Sequence, residues 1–390
     1  MASLAMQASN TTNAKPANKE GRQVVSTVPF IRASSLNTQY AGIDISRILT
    51  TSDQDLGTFE IPAFGYLRNV VILVTASGGT GGAPAVTFPE DSPFSTLKNI
   101  QLTEPNGAII RQYTSGYGLQ LDHKWGGYTH YGDMKASSAS YVAPGATFTG
   151  YSYMARIPVE LSQRDGLGSL PNQNAAATYK LRLTLSAVAG IAAGTLPTTL
   201  PTVRVQVFTE SWEQPEMSTA GQNNQTTPPA MGTTAFLTEQ IFNVNAGQQT
   251  IRLTRVGNYI RNLIMVYRRT AGTRVNGGAD WPEQTQLLLD TRPIDTVHKT
   301  HLTQRMVERT SYGATVGATV PALDSPGGLD AGVFVWDFCH EFDGKIGHEN
   351  RDLWLPTLGS TRLEIQGQFA NAGTLTVYTN DVSITQSVFS

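Results

Sequence analysis

The sequence predicts an all-β protein in which one domain is used twice in tandem. Three observations carry this. The stretch Tyr66-Leu67-Arg68-Asn69-Val70-Val71-Ile72-Leu73-Val74 returns about half a chain later as Tyr259-Ile260-Arg261-Asn262-Leu263-Ile264-Met265-Val266-Tyr267, and an echo at that spacing is the mark of a duplicated unit. Apolar residues elsewhere alternate or run in short blocks, which is the strand pattern, and helical periodicity is scarce. A polar, proline-punctuated segment, residues 214–232, lies where a duplication requires a boundary.

Three weaker echoes follow in the same order. Leu97 to Leu102, the turn Glu104-Pro105-Asn106-Gly107 and a helical segment over 114–124 correspond to Thr285 to Leu289, Asp290-Thr291-Arg292-Pro293 and a helix over 295–309. Later, Arg164-Asp165 precedes Leu170-Pro171, as Arg351-Asp352 precedes Leu355-Pro356. Each Leu-Pro leads into an alternating strand, Tyr179 to Leu185 and Thr361 to Gln366.

Along the chain, residues 1–40 read as a polar N-terminal arm. The first 20 residues are too low in hydrophobicity to fold without a partner. Residues 41–213 form the first β domain. Thr58 to Ile61 alternates before Pro62, and Leu67 to Val74 is apolar throughout, as in a strand buried on both faces. Ser77 to Gly82 is a flexible Gly-rich loop without the Lys-Ser/Thr of a phosphate cradle. Pro105-Asn106-Gly107 is a hairpin turn. Further strands are Phe148 to Pro158, Tyr179 to Leu185 and Val203 to Phe208. Residues 214–232 are the linker.

Residues 233–390 form the second β domain, with strands at Thr250 to Leu253, Ile260 to Tyr267, Thr285 to Leu289, Val333 to Phe338, Leu363 to Phe369 and Leu375 to Tyr378. Its one clear helix has Asp295 as N-cap after Pro293, with Val297, His301, Leu302 and Met306 on one face. Many strands, few helices and long loops favour two antiparallel sandwiches, read here as two tandem eight-stranded jelly rolls with short helices.

The chain of 390 residues is long enough for two cores. Only 15% of residues are charged, which fits either a Thr/Ser/Asn/Gly-rich β protein or a surface covered by identical neighbours. A net charge of −2 gives no positive field to recruit nucleic acid. The single Cys339 excludes an internal disulfide framework. Met1 to Arg22 lacks the apolar core of a signal peptide, so folding in a cytoplasm-like compartment is expected. The sequons at Asn10 and Asn224 then carry no meaning.

The search for chemistry yields little. His340-Glu341-Phe342-Asp343-Gly344 opens like a zinc-protease helix, but that motif needs a second His where Gly344 stands. His298 and His301 lie three apart on the expected helix without a third ligand nearby, and read as surface residues. Asp337, Glu341 and Asp343 cluster near Cys339; paired carboxylates can cleave glycosides at a suitable separation, but loop carboxylates at a strand end explain them as well. Cys339 adjoins an apolar run and reads as a buried, inert thiol. Trp125, Trp212, Trp281, Trp336 and Trp354 are spread singly and read as core or interface anchors. No catalytic, cofactor-binding or metal-binding residue is assigned, and no cofactor is expected.

Several short stretches together resemble one family. Arg22-Gln23-Val24-Val25 followed by Pro29-Phe30-Ile31, Leu102-Thr103-Glu104-Pro105-Asn106 followed by Thr114-Ser115-Gly116-Tyr117-Gly118-Leu119, and Asp290-Thr291-Arg292-Pro293-Ile294-Asp295 are similar to segments of the double jelly-roll major coat proteins of tailless double-stranded DNA viruses with an internal membrane, especially the tectivirus type. The resemblance implies two upright jelly rolls per chain and a homotrimer of hexagonal outline that tiles an icosahedral shell. It implies no enzymatic activity and a place in the virion, after synthesis in host cytoplasm.

Its implied partners are neighbouring trimers, penton and minor capsid proteins, and an internal membrane reached by the N-terminal arm through Lys15, Lys19 and Arg22. The loops Gly272 to Pro282 and Thr310 to Leu329 would form outer towers or subunit contacts. Two other functions compete: a lectin-like or receptor-binding spike, and a double jelly-roll glycan hydrolase or amidase.

Overall fold

A computed structural model describes residues 27–82, 86–87, 89–126, 150–161, 165–193, 195–219, 222–270, 272–274, 280–310, 330–339 and 350–383. Strand β1 (Thr27–Val28) and the single-turn helix α1 (Phe30–Ala33) lead into the first roll. Its strands are β2 (Leu36–Ile48), β3 (Gln54–Glu60), β4 (Tyr66–Ser77), β5 (Leu97–Thr103), β6 (Ile109–Ser115), β7 (Tyr151–Pro158), the short β8 (Leu170–Pro171), β9 (Lys180–Leu185) and β10 (Thr202–Trp212), with helix α2 (Gly116–Trp125) after β6. They pair in two antiparallel orders, β2-β10-β4-β7 and β3-β9-β5-β6, the strand arrangement of a jelly roll.

The linker holds β11 (Ser218–Thr219) and β12 (Gln222–Asn224), and β1 pairs with β12. The second roll repeats the plan with β13 (Thr234–Val244), β14 (Gly247–Leu253), β15 (Tyr259–Arg269), β16 (Gln284–Leu289), β17 (Arg292–His298), helix α3 (Lys299–Thr310), β18 (Val333–Asp337), the short β19 (Leu355–Pro356), β20 (Leu363–Phe369) and β21 (Gly373–Ser383). Its orders are β13-β21-β15-β18 and β14-β20-β16-β17. The fold is a double jelly roll, and both echoed stretches open the same strand of their roll, β4 and β15.

The echo has a structural cause. Between β10 and β4 the register jumps so that Glu210 faces Asn69 and Ser211 faces Leu67, leaving Arg68 as the extra residue. Between β21 and β15 it jumps in the same place: Asn380 faces Asn262, Asp381 faces Ile260, and Arg261 is extra. A bulge aims its extra side chain out of the alternation. The Arg of each echo is that residue. The Leu-Pro echo is equally exact in place, since Leu170-Pro171 and Leu355-Pro356 pair with the starts of β4 and β15.

The sheets stack in layers. β2-β10-β4-β7 is one outer layer and β14-β20-β16-β17 the other. The middle layer is a single sheet, because β6 meets β13 in parallel through Leu237 and Arg111. One core lies inside the first roll, around Leu67, Val70, Ile72, Ile100 and Leu181, and the other inside the second, around Leu263, Met265, Trp281 and Ile365. The opposite face of β15, with Ile264 and Val266, belongs to the first core. This strand is therefore buried on both faces, as its unbroken apolar run requires.

Two helix boundaries differ from expectation. The helix expected over 295–309 starts at Lys299, and Arg292–His298 is strand β17, paired with β16 from Gln284↔His298 to Leu289↔Arg292. β17 is an edge strand, where Pro293 costs no ladder hydrogen bond. Val297 thus points into the core from a strand, while Leu302 and Met306 do so from the helix. The helix expected over 114–124 starts at Gly116, capped by the Ser115 hydroxyl, which accepts from Tyr117 N at 3.3 Å.

Candidate functional site

The richest polar chemistry lies in the seam where the two rolls meet. α2 leaves β6 and runs between β7 of the first roll and β15 of the second. Asp122 on α2 is fully buried and uses both oxygens. Oδ2 accepts from Tyr113 Oη at 2.8 Å and from Arg111 Nη1 at 3.2 Å, and Oδ1 accepts from Asn380 Nδ2 of β21 at 3.0 Å. Asn262 Nδ2 donates to Trp125 O at 3.3 Å. Beside Asp122, burial lowers the His123 pKa to about 4, so the ring is neutral, and its Nε2 faces the Arg156 carbonyl.

A second group closes the seam above α2. Arg274 is fully buried; its Nε donates to Asp91 Oδ1 at 2.7 Å and its Nη1 to Ala331 O at 2.8 Å. Its guanidinium stands 4.3 Å from the Tyr117 ring centroid, a cation–π contact. Arg268 Nη2 donates to Asp91 Oδ2 at 2.7 Å, and Lys124 Nζ to Asp330 Oδ2 at 2.7 Å. Each pair joins one roll to the other. Gly118 lets α2 come this close: an added Cβ would lie 2.5 Å from Tyr378 Oη.

A third group gathers at the end of the first roll where the chain enters. Phe30 is buried against Tyr66 at 5.4 Å and Trp212 at 6.5 Å, both edge-on. Beneath them Glu160 Oε2 accepts from Arg68 Nε at 2.5 Å and from Trp212 Nε1 at 3.3 Å. Burial outweighs the attraction of Arg68 and pushes the Glu160 pKa up to about 8. The Pro29-Phe30-Ile31 stretch is thus an anchor that pins the N-terminal segment to the roll.

Among the described residues, those weighed for chemistry are not brought together. His298 ends β17 and pairs with Glu283 at 3.1 Å, while His301 is exposed on α3, so the two do not share a helix. Asp337 ends β18 and its Oδ1 accepts from Cys339 N at 2.9 Å. Cys339 is buried, and Trp354 Nε1 donates to its Sγ at 3.1 Å. His340, Glu341, Asp343 and Gly344 lie outside the described residues, as do Lys15, Lys19, Arg22 and residues 275–279 and 311–329 of the two loops. All five tryptophans are buried core or seam residues. A groove of about 740 Å³ on the outer face of β14, β20 and β16 takes its polar lining mostly from neutral amides, Gln248, Gln284, Gln286, Gln366 and Gln368. Its Glu283 is held in an ion pair with Lys299 at 3.0 Å.

No protein-family model matches the chain, and no curated protein matches it. Solved structures do. The chain is similar to the major capsid protein of Sulfolobus turreted icosahedral virus, with a TM-score of 0.60 and 12% identity, over 90% of this chain and 97% of that one. It is similar to a chain of the PBCV-1 virus capsid, with a TM-score of 0.55 and 11% identity, over 94% of this chain and 98% of that one. At this identity the likeness establishes the fold: a double jelly roll of the kind found in those capsids.

Proposed function

We propose that this chain is the major coat protein of an icosahedral double-stranded DNA virus and assembles as a homotrimer. The observation that carries the proposal is the near-exact duplication of strand order and bulge position in two rolls fused through one sheet. Two equivalent units per chain give a threefold ring six similar sides, which suits a tile that must fit six neighbours. The similar chains of known structure are capsid proteins. The work of such a protein is binding rather than catalysis, and its place is the capsid shell of the virion. We divide the chain at the linker 214–232 into a first roll and a second, 233–390; because β2 begins at Leu36, the first roll starts there rather than at 41, and the arm ends before it.

The partners follow from the same reading. They are neighbouring trimers, penton and minor capsid proteins, and a membrane met by the arm through Lys15, Lys19 and Arg22, each cation contributing ~1 kcal/mol at an anionic surface. Phe30 fixes where the arm leaves the roll. The test is the native mass of the purified chain by light scattering, with negative-stain imaging. A trimer of hexagonal outline, about three times 42.0 kDa, supports the proposal; a monomer at all concentrations that forms no sheets or shells overturns it.

A further inference from the structure

The groove on the outer face of the second roll carries chemistry that the jelly-roll plan does not require. The register of β14, β20 and β16 sets its side chains in cross-strand rows. Gln366 faces Thr250 on one side and Gln286 on the other, and Gln368 faces Gln248. Gln284, first in β16, adds a fifth amide. Among the described residues, Gln366 is the one of the five whose side chain bonds within the chain, its Nε2 donating to Thr250 Oγ1 at 3.1 Å. The other four present free amide donors and acceptors to the groove.

The surroundings fit a ligand without charge. The charged groups in the lining, Glu283 and Lys299, already pair with each other. Gly367 draws the Trp281-Pro282 segment against β20, since an added Cβ would lie 2.8 Å from Pro282 Cγ. Trp281 thereby lines the groove while buried, and its Nε1 has no hydrogen-bond partner, although a buried indole N–H ordinarily finds one.

These features select a class of ligand. An ion would give up its hydration at a site with no opposite charge to spare. An apolar ligand would desolvate the amides and leave them unbonded. A polypeptide strand would seek the open edge of β14 or β17 for its backbone groups rather than the face between them. A sugar chain meets the requirement, because adjacent hydroxyls donate and accept as an amide does. The amides repeat across strands about 4.8 Å apart, a spacing that suits successive sugar rings, and the groove has the volume of a small-molecule site. The matching face of the first roll holds a smaller groove of about 180 Å³, lined by Asn99, Gln101, Gln112 and Arg182. The second roll leaves that face open, so contact between rolls does not cover this side of the sheet.

We propose that the groove of the second roll binds a short stretch of a neutral polysaccharide, held by hydrogen bonds from its glutamines. The site goes beyond the coat reading and does not depend on it, because one chain forms it whole.

The test titrates the full chain with maltohexaose, cellohexaose, mannohexaose and chitohexaose by saturation-transfer NMR, with heparin hexasaccharide as the anionic comparison. At least one neutral probe is expected to bind with a Kd below about 1 mM, and the anionic probe not to bind. Gln286→Ala and Gln368→Ala alter solvent-facing side chains, so the fold survives. Each is expected to weaken binding at least about fivefold, as the loss of a hydrogen bond does, while Thr38→Ala on the opposite outer layer changes nothing. Failure of every neutral probe, preference for the anionic one, or unchanged binding in both glutamine variants overturns the proposal. So does loss of self-association in both variants without sugar binding, which would make the groove a contact between copies. A wild type that binds a neutral probe but stays monomeric supports the sugar site and removes the coat reading, so the two fail separately.

Discussion

Glu160 ties the stability of the first roll to pH. Its folded pKa, about 8, lies above the ordinary glutamate value of 4.5 because burial disfavours the charge more than Arg68 favours it. The folded state therefore holds a proton that the unfolded chain releases. This contribution is fully present below about pH 4.5 and is lost as pH rises through about 8. Glu160→Gln keeps an acceptor for Arg68 and Trp212 but cannot ionise. Its stability is expected to fall less than the wild type's between pH 5 and pH 8.5, by up to about 4 kcal/mol, in urea titrations at each pH. Equal slopes for the two proteins would show that Glu160 is charged throughout. At Gly118 the argument is steric. Gly118→Ala drives a methyl into Tyr378 and is expected to cost about 1–3 kcal/mol, read as a lower melting temperature.

The elements show what the sequence could reveal. The echoed strands were legible because both carry an Arg as the extra residue of a bulge at one fixed place, so Tyr-x-Arg-Asn recurs in register with the apolar run. The Leu-Pro echo was legible for the same reason, each pairing with the start of the echoed strand. β17 was not, because Asp295, Val297, His301, Leu302 and Met306 satisfy a helical period although the first two sit in a strand. β2 was obscured because most of its outward positions, Thr38, Asp44 and Ser46 beside Tyr40, are polar, as an edge strand with an open face allows. The seam was least legible: Arg111, Asp122 and Arg274 look like ordinary surface charges until folding brings each to a partner far along the chain.

α1 illustrates an element held by one residue. It has only four residues and lacks a side-chain cap, so its place depends on Phe30 between Tyr66 and Trp212. Phe30→Ala is expected to free the N-terminal segment. Limited proteolysis should then cut before β2 at least tenfold faster, while the melting of the rolls changes little. A variant cut no faster than the wild type would mean that the β1–β12 pairing alone holds the segment.

At the scale of the molecule, the two rolls are unequal partners despite their common plan. Among the described residues, the first roll's outward sheet face leaves Tyr40 and Met154 exposed. The second roll's equivalent face, with Ile264, Val266, Val335 and Tyr378, is covered in the same core by residues of the first roll, α2 among them, and by Met306 of α3. Removing the first roll would uncover a contiguous apolar patch of the size that drives aggregation. It would also strand Arg274, whose separation from Asp91 costs about 3–5 kcal/mol as a broken buried pair. The intact chain is therefore expected to melt in one transition by calorimetry. A fragment of residues 27–232 should fold and stay soluble. A fragment of residues 233–390 should bind 8-anilinonaphthalene-sulfonate strongly and aggregate. If that second fragment instead folds cooperatively without dye binding, the seam is a weak contact between independent domains, and the intact chain should then melt in two steps.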